Sequence, residues 1–501
     1  MVLPTKATVD RMRRRIQSPD FPEWKERMRQ LAGCTRPVRL AGQWAIHDTT
    51  GHTLRSRTGE IYTACGNRRE AVCPACSDRY AADAFHLLRA GLSGGSKDVP
   101  ETVAETPRLF VTLTAPSFGP VHNRRVSPKT GKTMPCACGS FHHEHDPARG
   151  QPLDPDSYDY TGHVLWQAHV GPLWNRFTTY LRRHIARAAG LPSRQISQHV
   201  RLSYAKVAEY QKRGVIHLHA VIRLDGPTGP SDPPPAWAST DLLTDAVHSA
   251  SGAVSVTAPD IDGHRRVLGW GEQIDVRPIR AANASQVEND HGEITDDRLA
   301  SYVAKYATKG TSTSEAVDKP IRSQGHLDLL DINPHHRRII QTAWNLAAPV
   351  PCPDCHPHGP HTPDGCPCHT GTVCRTCHGG GWVSRTTRQQ FLHPDTAPDV
   401  DPLDALNLRR WAHMLAFRGH FLSKSKHYST TFTQIRAARR QYQHESVLDE
   451  LGVDEDEITV VNHWQLVAIG HDSPEETELA HGIAEANRHA RKQRYERERI
   501  A

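Results

Sequence analysis

The sequence has little of what membrane insertion or a very large apolar core requires. Only 37% of its 501 residues are hydrophobic, aromatics make up 6%, and methionine occurs 5 times. The longest early apolar stretch, Leu109 to Leu113, falls far short of the roughly 20 residues that a membrane-spanning helix needs. No membrane partner is expected. The N-terminus runs through Lys6 into Arg11, Arg13, Arg14 and Arg15 with no apolar region after the basic cluster, which argues against a secretory signal and for a cytoplasmic protein. Lysine is also scarce, at 13 residues against 48 arginines. The positive charge therefore sits on guanidinium groups suited to phosphate recognition. With 61 basic and 55 acidic residues the formal charge is +6, which favours a polyanionic partner.

In a reducing compartment, 12 cysteines beside 33 histidines point to zinc rather than to disulfides. The cysteines fall into three groups. Cys34, Cys65, Cys73 and Cys76 form one set. Cys136 and Cys138 lie near His142, His143 and His145, two of which would complete a second site. Cys352-x2-Cys355 and Cys374-x2-Cys377 are two knuckles 18 residues apart, a spacing typical of structural zinc. Cys366 and Cys368, with histidines around them, are candidates for a further ion.

A length of 501 residues allows two to four domains. The expected division is a Cys-rich N-terminal region over 1–95, a catalytic domain over 106–315 with a Cys/His insertion near 136–145, a zinc module over 345–385, and a basic helical region with a charged tail over 401–501. Asp78 to Arg89 has the pattern of an amphipathic helix and is followed by the Gly91 to Gly95 breaker. Leu109, Val111 and Leu113 alternate with Phe110, Thr112 and Thr114, a strand with one face suited to a core. Leu173, Phe177 and Leu181 recur at helical spacing after Gly171-Pro172, so that pair should open a helix. Leu202 to Tyr210 and Val215 to Leu224 look like a hairpin, with Asp225 to Ala236 as a loop.

The sharpest chemical signal is Gly214-Val215-Ile216-His217-Leu218-His219. Residues two apart in a strand face one side, so His217 and His219 project together as half of a metal site. If Lys212-Arg213-Gly214 is a three-residue turn with glycine in the left-handed position, Glu209 faces His217 and adds a carboxylate. Such a set suits Mg²⁺ or Mn²⁺ with positions left open for a phosphate oxygen. A second signal lies at Tyr302, Lys305, Tyr306 and Lys309. A helix over Arg298 to Lys309 would put Tyr302 and Tyr306 on one face, with Lys309 a turn beyond. Phenols placed beside cations can attack a phosphodiester. Further on, Arg409, Arg410, Arg418, Lys424 and Lys426 are interleaved with Trp411, Phe417, Phe421 and Tyr428. They form the best candidate DNA-binding surface, although the aromatics equally suit a helical core.

The strand Phe110 to Thr114, His217-Leu218-His219 and the Tyr302 to Lys309 segment resemble, in order, the three motifs of HUH endonucleases that initiate rolling-circle replication. Together with Cys73-Pro74-Ala75-Cys76 and the Trp411 to Phe421 segment, they are similar to the RepSA-like initiators of actinobacterial plasmids. The resemblance implies an α/β (α+β) HUH core, an antiparallel sheet with flanking helices, carrying zinc-binding insertions and a helical C-terminal region. It implies metal on His217 and His219, with Glu209 or His122 as third ligand, Tyr306 as nucleophile and Tyr302 as a second one. The implied reaction is a metal-dependent origin nick through a 5′-phosphotyrosine link, followed by strand rejoining. Its partners would be the double-stranded origin, the single-stranded nick site and host polymerase. The chain has no Gly-x4-Gly-Lys-Ser/Thr loop, so a host helicase is expected as well. An HUH relaxase or transposase, or a non-enzymatic zinc-dependent DNA-binding regulator, would share part of these features.

Overall fold

The computed structural model describes residues 6–95, 99–127, 129–261, 263–279, 300, 319–355, 374–378 and 380–500. Two helices, α1 (Lys6–Ile16) and α2 (Phe21–Gln30), precede the hairpin of β1 (Val38–Asp48) and β2 (Thr53–Thr63). Helix α3 (Pro74–Ser93) leads to β3 (Arg108–Leu113). Next come the short pair β4 (Arg125–Val126) and β5 (Thr133–Met134), the long helix α4 (Tyr160–Ala188), and the hairpin of β6 (Arg201–Tyr210) and β7 (Ile216–Asp225). Helix α5 (Thr240–Ala253) is followed by β8 (Ser255–Thr257), β9 (Val267–Gly269) and β10 (Ile274–Pro278). The C-terminal part contains helix Pro334–Leu346, the pair β11 (Val350–Pro351) and β12 (Trp382–Val383), β13 (Leu422–Lys424), helix Phe432–Leu451, β14 (Ile458–Ile469) and helix Pro474–Ile500.

The central sheet has the order β10-β3-β7-β6-β13, and every pair in it is antiparallel. The α/β class with an antiparallel sheet and flanking helices, expected from the sequence, is the class observed. Strand periodicity explains the two layers. Leu109, Val111 and Leu113 share one face with Leu218, Ala220 and Ile222, and join the core that includes Val164, Leu165 and Leu173 of α4 and Leu243 and Val247 of α5. Phe110, Ala205, Val207 and Val221 point the other way and are buried with Leu87, Leu88 and Leu92 of α3 and with Tyr428 and Ile435. Strand β3 was expected to bury one face. Both faces are covered because α3, from the N-terminal region, lies across the second.

Helix α4 departs from the sequence expectation. It begins at Tyr160, capped by Asp159 Oδ1 accepting from Gly162 N at 2.8 Å, and runs through Pro172. An interior proline forfeits one backbone hydrogen bond and costs about 3 kcal/mol. The first three turns bury Val164, Leu165, Trp166, Ala168 and Val170; a fully buried Val or Leu is worth about 1.5–3 kcal/mol, and the sum outweighs the break. Strand β14 also lacks a clear sequence signal. It pairs antiparallel with β1 along its length, from Val38 opposite Ile469 to Asp48 opposite Ile458, and both of its faces are largely exposed. Helix Pro474–Ile500 then returns to α1 and α3, where Arg15 Nε meets Glu476 at 2.7 Å and Arg488 Nη2 meets Asp78 at 2.7 Å. The last strand and helix are thus built into the N-terminal sheet and helices.

Candidate functional site

The His-x-His strand is held by a three-residue turn. Gln211 N donates to Val215 O at 2.8 Å, Gly214 N donates to Gln211 O at 2.9 Å, and Gly214 has φ +76°. That conformation costs a side-chain-bearing residue energy but not glycine. The ladder pairs Glu209 with His217. Glu209 reaches diagonally along the face, so that its Oε2 lies 2.8 Å from His219 Nε2. His219 is buried, with Nδ1 3.1 Å from Thr112 Oγ1 and its ring stacked on Phe110 at 5.8 Å and 7°. The His217 and His219 rings lie 6.4 Å apart at 70°. Burial, reinforced by His219 and Arg213, pushes the His217 imidazole down to about 3. It is therefore neutral at physiological pH, the form that ligates metal.

Several residues without an obvious sequence signal position this hairpin. Buried Gln167 of α4 spans it, donating to Gly214 O at 3.0 Å and accepting from Ile216 N at 3.0 Å. The Arg213 guanidinium donates to Pro116 O and Ala115 O at 3.3 and 3.4 Å. His335 Nε2 donates to Arg213 O at 3.0 Å. Tyr302, Lys305, Tyr306 and Lys309 lie outside the described residues. Ala300, two positions before Tyr302, is fully buried in the cluster that contains Phe110 and Val221, on the same sheet face as His219.

Among the described residues, three groups of Cys and His bring four potential ligand atoms within 4.8 Å of one another. In the Cys34, Cys65, Cys73 and Cys76 group, Sγ atoms lie 3.6 Å apart for Cys65–Cys76, 3.8 Å for Cys73–Cys34 and 3.7 Å for Cys76–Cys34. A tetrahedral ion with metal–sulfur bonds of about 2.3 Å has edges of roughly 3.8 Å, so the spacing fits a four-thiolate site. Hydrogen bonds from neighbouring thiols, that of Cys34 first, bring the Cys65 thiol down to about 7 and hold Cys73 well below the usual thiol range. In the second group, Cys352 and Cys374 are 3.9 Å apart and Cys355 and Cys377 are 3.6 Å apart. Cys366 and Cys368 lie outside the described residues.

The third group differs from its sequence-based partition. It contains Cys136, Cys138 and His142, but its fourth member is His122, while His143 and His145 are exposed. Reciprocal backbone bonds cause this, His122 N to Gln151 O and Gly150 N to His122 O, both 2.8 Å. They fold the start of the insertion back onto its end. His122, which the resemblance offers as an alternative third ligand beside His217 and His219, therefore stands in this group.

The basic residues of the C-terminal region divide by environment. Arg410, Arg418 and Lys426 are exposed. Arg409 packs over the Trp344 ring at 4.4 Å and donates to Trp344 O at 3.2 Å. Lys424 Nζ donates to the carbonyls of Ser425, Lys426 and Ser429 at 3.0–3.3 Å. Phe417, Phe421 and Tyr428 are buried core residues, whereas Trp411 is half-buried. Among the described residues no helix is long and apolar enough to cross a membrane.

The fold and these side chains define an antiparallel α/β protein with a His-x-His hairpin at its central sheet and ligand-bearing Cys/His clusters around it. The family model described as "Replication initiator protein, pSAM2" matches residues 20–485. A "Replication initiator protein" of Streptomyces ambofaciens is 40% identical over 493 residues, 95% of this chain and 93% of that one. The chain belongs to the RepSA family of replication initiators. No solved structure matches it.

Proposed function

We propose that this chain initiates plasmid rolling-circle replication as an HUH-type endonuclease and strand transferase, nicking one strand at the origin. The observation that carries the reading is the Glu209–His219 contact beside His217, on the sheet face that also buries Ala300. Two ligands at right angles around an ion with bonds of 2.0–2.1 Å lie about 3.0 Å apart, and the Glu209–His219 separation of 2.8 Å suits such a pair. Rotation of the His217 ring would supply the third ligand. Mg²⁺ or Mn²⁺ held there would polarise the scissile phosphate.

In this reading the Tyr306 hydroxyl, or that of Tyr302, attacks the phosphorus. The tyrosine oxygen–phosphorus bond forms as the bond to the 3′ oxygen breaks, leaving a 5′-phosphotyrosine link and a free 3′-OH that primes host polymerase. Lys305 and Lys309 offset the charge that develops on the phosphate and phenolate. Rejoining reverses the attack. Host helicase opens the duplex, and the exposed Arg410, Arg418 and Lys426 hold origin DNA. The four-cysteine groups carry structural Zn²⁺, because full coordination leaves no position for substrate.

Supercoiled origin plasmid incubated with the protein and Mn²⁺ should become nicked and carry protein at its 5′ end, with the modified tyrosine mapped by mass spectrometry. A Tyr302→Phe, Tyr306→Phe double variant that nicks as well as the parent would overturn the proposal.

A further inference from the structure

We propose that His122, Cys136, Cys138 and His142 bind one Zn²⁺, and that the closed module fixes the turn of the His-x-His hairpin. Two thiolates with two imidazoles form a soft tetrahedral donor set that selects zinc among common divalent ions. The observed separations already approach that geometry. His142 Nε2 lies 3.3 Å from Cys138 Sγ and 3.2 Å from His122 Nδ1. A tetrahedron with metal–nitrogen bonds of 2.0–2.1 Å and metal–sulfur bonds of 2.3 Å has edges of roughly 3.3–3.8 Å. Asp146 Oδ2 accepts a hydrogen bond from His142 Nδ1 at 2.7 Å. That bond fixes the tautomer and aims Nε2 at the other three ligands, as outer carboxylates do in zinc sites. Cys136 and Cys138 sit in a tight turn closed by Cys136 N to Ser140 O at 2.8 Å, with Gly139 at φ +85°.

The module abuts the hairpin turn directly. Lys212 Nζ donates to Glu144 O at 2.6 Å, and Arg149 Nη1 donates to the same carbonyl at 2.5 Å. Gly150 lies so close to the Lys212–Arg213 peptide that a Cβ there would collide with its backbone. Among the described residues from His122 to Gln151 the regular elements are only the two-residue strands β4 and β5. An ion is the cross-link that keeps so short a segment rigid against Lys212 and Arg213. Through them it sets the turn on which Glu209 and His217 face each other.

Zinc content of the full-length protein tests the assignment. The His122→Ala variant should contain one equivalent less than the parent, and His143→Ala and His145→Ala should match the parent. Parent-level zinc in His122→Ala, or loss of zinc in either control, would overturn it. The His122→Cys variant should keep the ion and, after exchange with Co²⁺, show stronger thiolate-to-cobalt absorption; an unchanged band would also overturn it. In His122→Ala, hydrogen exchange at the Gln211 and Gly214 amides should speed up by at least about tenfold. Unchanged exchange after loss of the ion would refute the coupling to the turn. None of these readouts requires DNA cleavage, so they stand apart from the nicking reaction.

Discussion

Replacing Arg223 with Met should cost about 3–5 kcal/mol of stability, because it leaves a buried carboxylate without its counter-charge. Arg223 and Asp225 have side chains that are 0% exposed. The guanidinium Nε meets Asp225 Oδ1 at 2.6 Å and Nη2 meets Oδ2 at 3.1 Å. The same group donates to Gly91 O in α3 and to Tyr428 O at 3.0 Å, and its Cζ lies 5.3 Å from the centroid of the Tyr428 ring. One side chain therefore joins the His-x-His strand to the helix that covers it and to the C-terminal region. Met preserves much of the length and fills the space, so the loss isolates charge and hydrogen bonding from volume. The Arg223→Met, Asp225→Leu double variant removes both desolvated charges and should regain at least about 2 kcal/mol of the single variant's loss. It should stay below the parent by about 1 kcal/mol for each carbonyl that loses its donor. Urea unfolding followed by tryptophan fluorescence and far-ultraviolet circular dichroism measures all three proteins. A single variant within about 1 kcal/mol of the parent, the level of an exposed ion pair, would refute the reasoning. So would a double variant no more stable than the single one.

Other outcomes follow from the same structure. His217 and His335 are held neutral by burial, at about 3 and about 4, and His163 lies well below the usual imidazole range for the same reason. The unfolded chain binds protons that the folded one refuses, so stability should fall as pH drops below about 6.5 toward 4, by roughly 1.4 kcal/mol per pH unit for each such histidine. An unfolding midpoint that is flat between pH 7.5 and 5 would contradict this. Glu209→Gln keeps a group beside His219 but removes the ligand charge, and should lower Mn²⁺-dependent nicking by at least about tenfold; parent-level nicking at limiting Mn²⁺ would remove Glu209 from the site. Cys34→Ser should lose one zinc equivalent. It should also release helix Pro474–Ile500 to proteolysis, because His471 donates to Cys34 O at 3.0 Å and Ala484 is buried with the four sulfurs; unchanged zinc content would refute the four-thiolate assignment.

The elements legible in sequence were those whose signal is local. Strand alternation placed the β6–β7 hairpin, and glycine at position 214 set the register that pairs Glu209 with His217. Cysteine spacing marked the clusters because a knuckle is built from neighbours in the chain. Pattern failed where long-range burial outweighed a local rule. Pro172 lies within α4 because residues on both sides of it are core. His122, distant in sequence from Cys136, enters that cluster only because a backbone ladder folds it back.

By itself the sequence determined the chemistry available: two imidazoles on one strand face, sulfur ligands at metal-binding spacing, and positive charge carried on arginine. These depend on residue type and on the two-residue and 3.6-residue repeats of the backbone. Tertiary structure alone decided which groups meet. Glu209 turned to His219 instead of staying with His217 opposite it, Lys424 and Arg409 were drawn into backbone hydrogen bonds, and β14 closed on β1 across more than four hundred residues of chain. Such contacts form when several elements bury one another's faces together, and no stretch of sequence read locally contains that sum.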